Sequence, residues 1–280
     1  MQIVSTITSS LPPSLPGLAG GAFTAYQILA TAVSFKGETS ADSRVQYSKF
    51  ATNANAGGAD KTGPTWPSQV GMLVIYTPAL IASVALLKLG TLPADALSLP
   101  FSIPPPSPAA VFCAFHFAKR VCEVLLVHRY SGRVDRKTPS LVGFYYAVVA
   151  VLVAFVSDPH PSATALQVGK ILFGIGLAGN FYHHRLLAKL RSDSTAGVEK
   201  KYVPPKGGLF NFVAAPHYLF ELIGWLGVAI TANHLNVYLV FTAMCSYLAG
   251  RSVAQNEFNR KKFSSDEWPE TRKNLVPFIF

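Results

Sequence analysis

The chain has 280 residues, 50% of them hydrophobic and only 14% charged, whereas an ordinary soluble domain carries about a quarter charged residues, so the composition reads as that of a membrane protein. The formal charge of +10 comes without a basic face interleaved with aromatics, which argues against nucleic acid as a partner and points to Lys- and Arg-rich cytoplasmic loops. Three cysteines, Cys113, Cys122 and Cys245, all lie in apolar stretches; their odd number and spacing suit neither a disulfide framework nor a zinc site, and no metal is expected.

The N-terminal stretch MQIVSTITSSLPPSLPG has no positive region and no small-residue cleavage site, so the first hydrophobic segment is expected to remain in the mature protein. Seven stretches then approach the roughly 20 residues that a helix needs to cross a bilayer. They cover about 18–35, 70–89, 109–127, 140–157, 166–189, 211–231 and 235–250. Seven spans place alternate loops on opposite sides. The loops 36–69, 128–139 and 190–210 together with the tail from 251 hold eighteen Lys and Arg residues, and the opposite set holds none. The positive-inside rule therefore predicts an all-α membrane protein, a bundle of seven transmembrane helices with the N-terminus lumenal and the C-terminus cytoplasmic. The proline-rich LPADALSLPFSIPPPSP should be extended, and ATNANAGGADKTGPT should be a flexible linker.

Three of the seven segments carry polar residues where lipid should be, and such residues face a bundle interior or a cavity. In FCAFHFAKRVCEVLLVHR, residues 112–129, His116, Lys119, Arg120 and Glu123 share one helical face. An internal ion pair with Glu123 is one reading of it. A pocket for an anionic ligand is the other, since the face keeps a net positive charge. In GNFYHHRLLAKLR, residues 179–191, Asn180, His184 and Arg191 line one stripe. A snorkelling Arg191 is commonplace, but the Asn and His need partners that lipid cannot supply. In APHYLFELIGWLG, residues 215–227, His217 and Glu221 stand at i and i+4, with Tyr218, Glu221 and Trp225 on the neighbouring stripe. The preceding KYVPPKGGLF offers a Gly-Gly pair that would let backbone approach a ligand; the phosphate-loop pattern GxxxxGK[ST] is absent. All three clusters lie towards the cytoplasmic ends of their segments, where a cationic cavity suits a phosphate-bearing cofactor.

GNFYHHRLLAKLR, KYVPPKGGLFNFVAAPHYLFELIGWLG and the tail WPETRKNLVPFIF resemble the C-terminal region of steroid 5α-reductases, while HFAKRVCEVLLVHRYSG is closer to the very-long-chain enoyl-CoA reductases of the same superfamily. QYSKF at 46–50 and GMLVIYTPA at 71–79 resemble the plant and fungal branch. The resemblance implies a multi-pass protein of the endoplasmic reticulum membrane with NADPH bound from the cytoplasm. It implies a division into residues 1–108, two helices on the substrate side, and 109–280, a reductase region of five helices and a cytoplasmic tail. The implied reaction is hydride transfer to the β-carbon of a C=C bond conjugated to a carbonyl in a lipid, a 3-oxo-Δ4 steroid or an isoprenoid enone. A trans-2-enoyl-CoA substrate is the alternative within that class; an isoprenylcysteine-type methyltransferase and a non-enzymatic multi-span protein are the alternatives outside it.

Carried over by position, Tyr47, Arg120, Asn180, His184, Arg191, Tyr202, His217, Glu221 and Arg251 match cofactor-binding positions of that family. His217 stands where steroid reductases have Asn, His184 where they have Asp, and Asn259 replaces a tyrosine. The family's carbonyl-holding Glu and Tyr correspond to Tyr76 and Phe117, so that pair is not preserved. The resemblance leaves Tyr76 as the candidate donor, with Tyr218 as the alternative acid and Glu221 as a third catalytic candidate; aromatic packing is the competing role for both tyrosines.

Overall fold

The computed structural model describes residues 12–40, 43–44, 63–93, 96, 99–193 and 202–280, with the side chains of 191–193 outside that set. Among the described residues there are seven α-helices: α1 Gly17–Thr39, α2 Ser68–Leu89, α3 Pro108–Leu126, α4 Lys137–Val156, α5 Ala163–Asp193, α6 Pro216–Ala232 and α7 Leu235–Lys262. A 3₁₀ turn, Gly208–Asn211, precedes α6. Two three-residue strands, β1 Thr65–Pro67 and β2 Arg133–Asp135, pair antiparallel with Trp66 opposite Val134. The described residues are thus mostly helical, as in an all-α membrane protein, and α1, α2, α4 and α7 are each long and apolar enough to cross a bilayer.

Local chemistry marks the helix boundaries. Ser107 caps α3 by accepting a hydrogen bond from Ala110 N at 3.1 Å, and Pro108 occupies the first turn, where its missing N–H is no loss. Pro216 does the same for α6, which ends at Asn233 in the left-handed conformation, φ 48°. Within the proline-rich segment, residues 99–107 are non-helical, as expected, while Ala96 lies in a 3₁₀ turn.

Three boundaries differ from the expected spans. The sixth was expected from 211, but the 3₁₀ turn and a parallel bridge between Val213 and Lys273 hold that backbone away from the helix until Pro216. The seventh was expected to stop at 250, yet no Gly or Pro interrupts residues 251–262 and the helix continues through them. The fifth likewise runs on to Asp193, so the expected loop from 190 begins inside a helix. The 51–65 linker lies almost entirely outside the described residues.

Consecutive helices run in opposite directions. Helices α2 and α3 are antiparallel, with Gln69 Nε2 donating to Val124 O at 3.1 Å. Helices α1 and α7 are parallel, joined by a polar ladder: Leu15 N to Asn236 Oδ1, Gln27 Nε2 to Asn236 O, Phe35 N to Ser246 Oγ, and the buried pair Glu38–Arg251 at 2.8 Å. The tail returns to the start of α6, where Ala214 N donates to Lys273 O, and Asn256 of α7 binds Arg272 O. The described connections 127–136, 202–215 and 263–280 therefore gather at one end of the bundle.

Glycines set the α5–α6 spacing. A Cβ on Gly176 would lie 2.3 Å from Gly224 N, and one on Gly179 would lie 2.1 Å from the Phe220 ring. Such close backbone approach is the usual way helices associate where lipid removes the hydrophobic driving force. The main core lies between α2, α3, α4 and α6 and includes Ile75, Tyr76, Phe117, Val149, Val153 and Trp225. A smaller cluster, Leu222, Leu248 and Leu275, joins α6, α7 and the tail.

The packing predicts that Gly176→Val forces α5 and α6 apart, an overpacking loss of about 1–3 kcal/mol or more. Gly174→Ala, at a position with no atom within 4 Å of the added Cβ, should be neutral or slightly stabilising. Thermal unfolding of the two variants in detergent checks the difference.

Candidate active site

The charged face of α3 is buried against α2, α5 and α6. Glu123, 1% exposed, sits at its centre. Its Oε1 lies 2.7 Å from Lys119 Nζ, and its Oε2 pairs with Arg120 Nη1 and lies 3.0 Å from His184 Nδ1 on α5. The second nitrogen of Arg120, Nη2, donates to the Tyr76 hydroxyl of α2 at 2.7 Å. Lys119 also donates to Asn180 Oδ1, and Asn180 Nδ2 donates in turn to His217 O at 2.9 Å and Glu221 Oε2 at 3.0 Å. His116 Nε2 stands 3.3 Å from the other Glu221 oxygen, Oε1. One connected polar network thus joins α2, α3, α5 and α6 through side chains of very low exposure.

Each contact follows from helical spacing. His116, Arg120 and Glu123 recur at i, i+4 and i+7 and so face the same neighbours. On α5, Asn180 and His184 are one turn apart and meet Lys119 and Glu123 respectively; on α6, His217 and Glu221 repeat the i, i+4 relation. The net positive charge expected from α3 alone is not what the assembled site carries. Glu221 arrives from α6, and two carboxylates then stand against Lys119 and Arg120. Neutralisation is what burial requires, since an unpaired ion in the interior loses several kcal/mol of solvation.

Beside this network lies an aromatic nest. Tyr76 stacks on Tyr146 with ring centroids 5.9 Å apart, Phe117 meets Tyr146 at 5.7 Å, and Trp225 meets Phe117 and His116 edge-on at 6.3 and 5.2 Å. Trp225 is 4% exposed, yet its Nε1–H has no hydrogen-bond acceptor among the described residues. A buried unsatisfied donor loses about 1–3 kcal/mol, which an acceptor on a bound molecule would restore. Two more unsatisfied donors, Asn259 Nδ2 and Arg272 Nε, lie at the far end of α7 and in the tail. Donors without acceptors on that basic side are what an anionic dinucleotide would complete, so the residues present fit such a cofactor.

Of the residues expected from the sequence, the structure brings together Tyr76, Arg120, Asn180, His184, His217 and Glu221. Arg251 lies elsewhere, paired with Glu38 of α1. Tyr202 lies with α7, its hydroxyl donating to Asn259 Oδ1 at 3.3 Å and its ring stacked on Phe263. Tyr218 packs against the smaller apolar cluster of Leu222, Leu248 and Leu275 and contacts the His217 ring at 4.3 Å. Tyr47 and the Arg191 side chain lie outside the described residues. The Gly-Gly pair packs on α5. Gly207 and Gly208 have φ of +89° and +52°, and a Cβ on Gly208 would strike Tyr182 and His183 of α5.

Lys119 and Glu123 were visible on the α3 face, but only the structure makes Glu123 the hub. Glu38 had no sequence signal beyond its place near a span end. Glu123, His128 and His184 also offer donor atoms within 4.8 Å of one another. The same carboxylate already pairs with two cations, whose charge repels a divalent ion from that spot.

A family model described as 3-oxo-5-alpha-steroid 4-dehydrogenase matches residues 140–280. The chain is 28% identical over 178 residues to a very-long-chain enoyl-CoA reductase of Dictyostelium discoideum, covering 61% of this chain and 57% of the relative. It is 34% identical over 113 residues to the steroid 5-alpha-reductase DET2 of Arabidopsis thaliana, covering 40% and 41%. It is 33% identical over 115 residues to human 3-oxo-5-alpha-steroid 4-dehydrogenase 2, covering 41% and 42%. The chain therefore spans between two fifths and three fifths of the length of these curated relatives. The family match takes in half of the chain, through α4 to α7 and the tail, and on it the chain belongs to the 3-oxo-5-alpha-steroid 4-dehydrogenase family.

Proposed function

We propose that this protein is an NADPH-dependent oxidoreductase that reduces a C=C bond conjugated to a carbonyl in a lipid substrate, a 3-oxo-Δ4 steroid or an isoprenoid enone. The observation that carries the reading is the Tyr76 hydroxyl, held at 2.7 Å by a buried arginine beside an aromatic nest. Because Arg120 donates to the phenol oxygen, the Tyr76 O–H is left to donate elsewhere, and the guanidinium charge strengthens it as a donor. A carbonyl oxygen that gains negative charge as its conjugated double bond is reduced needs such a donor in a site shielded from water. Trp225 Nε1–H is a second candidate donor on the same side.

NADPH, when bound, supplies the hydride. Arg120, Asn180, His184, His217 and Glu221 are the residues of the assembled network that would hold it, with Tyr202 and Arg251 from the α7 side and Tyr47 and Arg191 by family position. Glu221 also orients Asn180 and His116. The aromatic nest would take the flat, apolar body of the substrate. In this reading residues 1–108 contribute Tyr76 to the substrate side, and 109–280 carry the cofactor side.

A trans-2-enoyl-CoA is the second reading. It is supported by the alignment to the enoyl-CoA reductase of Dictyostelium discoideum over about three fifths of this chain, an extent that the 3-oxo-5-alpha-steroid 4-dehydrogenase 2 of Sus scrofa shares. Family membership supports neither the methyltransferase nor the non-enzymatic alternative. We further propose seven membrane spans in the endoplasmic reticulum, N-terminus lumenal and C-terminus cytoplasmic. The alternating helix directions and the basic residues of the connections at one end of the bundle support that topology.

Two outcomes test the reading. NADPH at about one hundred times its Kd should raise the apparent stability of the purified protein by about 2.7 kcal/mol, and S-adenosylmethionine should not; a thermal-shift series in detergent reads both. In an NADPH-oxidation assay against 3-oxo-Δ4 steroids, isoprenoid enones and 2-enoyl-CoAs, Tyr76→Phe should lower kcat by about 10²–10³ while keeping the NADPH-induced shift. Equal turnover by Tyr76→Phe and wild type would remove Tyr76 from the chemistry.

A further inference from the structure

The site as described polarises a carbonyl oxygen, but the reduced double bond also needs a proton at its α-carbon. Tyr218, the acid suggested by family position, packs with Leu222, Leu248 and Leu275 in the smaller apolar cluster. His116 is an ionisable group of the assembled network that has no role of its own yet. His116 is 7% exposed, its Nε2 is 3.3 Å from Glu221 Oε1, and its other ring nitrogen makes no hydrogen bond among the described residues. The ring stands edge-on to Phe117 and Trp225, at 5.1 and 5.2 Å between centroids. It also lines a narrow cleft with Lys119, Asn180, Glu221 and Phe220.

Three features make this ring more than a packed core histidine. Its partner is a carboxylate, and Asn180 Nδ2 holds the far oxygen of that carboxylate at 3.0 Å, so the near oxygen is presented to the imidazole. The Glu221 carboxylate is thus the charge in the network placed to hold a proton on the imidazole. His116 also precedes Arg120 by one helical turn, about 5–6 Å on the same face. The Tyr76 hydroxyl held by Arg120 and the imidazole thus border the same aromatic nest. A conjugated carbonyl asks for that arrangement, because its oxygen and its α-carbon are two bonds apart and each needs its own donor. Finally, Lys119, Asn180 and Glu221 give the cleft a polar wall, along which solvent can reach the ring.

We propose that His116, ion-paired with Glu221, is the acid that protonates the α-carbon of the substrate; the assignment rests on the reductase reading above. Hydride arriving at the β-carbon forms a C–H bond there, and the π electrons of the C=C bond move to the α-carbon and carbonyl oxygen as an enolate. The imidazolium then gives its proton to the α-carbon, which forms the second C–H bond and restores the C=O. His116 is left neutral, with its remaining N–H directed at the Glu221 carboxylate, and recovers a proton from water through the cleft. Each turnover consumes one hydride from NADPH and one proton from solvent. Tyr76 serves the oxygen throughout and loses no proton.

The test uses the full chain in lipid nanodiscs with the substrate class that the wild type turns over. His116→Gln should retain the NADPH-induced thermal shift and lose kcat by about 10²–10⁴-fold. Its solvent deuterium isotope effect should exceed that of wild type, and its isotope effect with deuteride at C4 of the nicotinamide should shrink, as protonation becomes rate-limiting. Added imidazole should restore part of the rate. Glu221→Gln, which keeps the size of the partner but not its charge, should move both isotope effects in the same directions with a smaller loss. It serves as the second arm if His116→Gln does not fold. A His116→Gln protein with kcat within about threefold of wild type overturns the assignment, as does a slow variant whose two isotope effects match those of wild type. Loss of the NADPH shift in His116→Gln makes His116 a cofactor or scaffold residue and also overturns it. If wild type itself shows no NADPH shift and oxidises no NADPH with any enone or enoyl-CoA, the reductase reading fails and the proposal falls with it.

Discussion

The Glu123 carboxylate holds the site together. It lies 1% exposed between Lys119 and Arg120 of its own helix and His184 of α5. Without it, two cations would sit in an interior that solvates them poorly, at a loss of several kcal/mol each. With it, α3 can turn a charged face inward and dock on α5. The same pairing aims the rest of the Arg120 guanidinium at Tyr76, so a contact between α3 and α5 positions a hydroxyl on α2. On α6, Glu221 has the matching role, meeting His116 and Asn180.

That network needs helices closer together than bulky side chains permit. Gly176 opposite Gly224 and Gly179 beneath the Phe220 ring bring α5 and α6 into backbone contact, and only then can Asn180 reach both His217 O and Glu221. On the other side of the bundle the same logic recurs. Gly250 admits the α1 backbone, with Phe35 O only 2.6 Å from where its Cβ would be, and Glu38 then reaches Arg251. In both seams small residues set the distance and a carboxylate, Glu221 in one and the buried Glu38 in the other, sets the register.

Much of this was legible in the sequence, for identifiable reasons. Composition and the asymmetric distribution of Lys and Arg point to a multi-span helical protein, and all seven expected segments correspond to helices. The i, i+4 pairs His116/Arg120, Asn180/His184 and His217/Glu221 announce inward faces because each is a relation within one helix. What the sequence withheld is which faces meet. Periodicity cannot tell that Glu221 neutralises the α3 cluster, that Tyr76 meets Arg120, or that Arg251 pairs with Glu38 across more than two hundred residues. Nor could it tell that Tyr218, one residue from His217, packs on the other side of α6. Helix ends were missed where the stop depends on tertiary bridges, as Val213–Lys273 delays α6.

A buried ion network is a poor investment in stability. Replacing such a network by well-packed apolar side chains of similar volume is often neutral or stabilising by about 1–4 kcal/mol, whereas removing a single member is strongly destabilising. The network here spans four helices, includes three histidines and a phenol, and adjoins a tryptophan whose N–H has no acceptor among the described residues. A scaffold alone would be served better by leucines. Retaining titratable groups and an unsatisfied donor in helices that otherwise bury alanine, valine and phenylalanine makes sense where charge must be moved or stabilised during a reaction. The division within the network fits that purpose. Arg120 and Glu123 are locked by mutual charge and give rigidity, while the Tyr76 hydroxyl and the second ring nitrogen of His116 border the aromatic nest, as the roles proposed for them require.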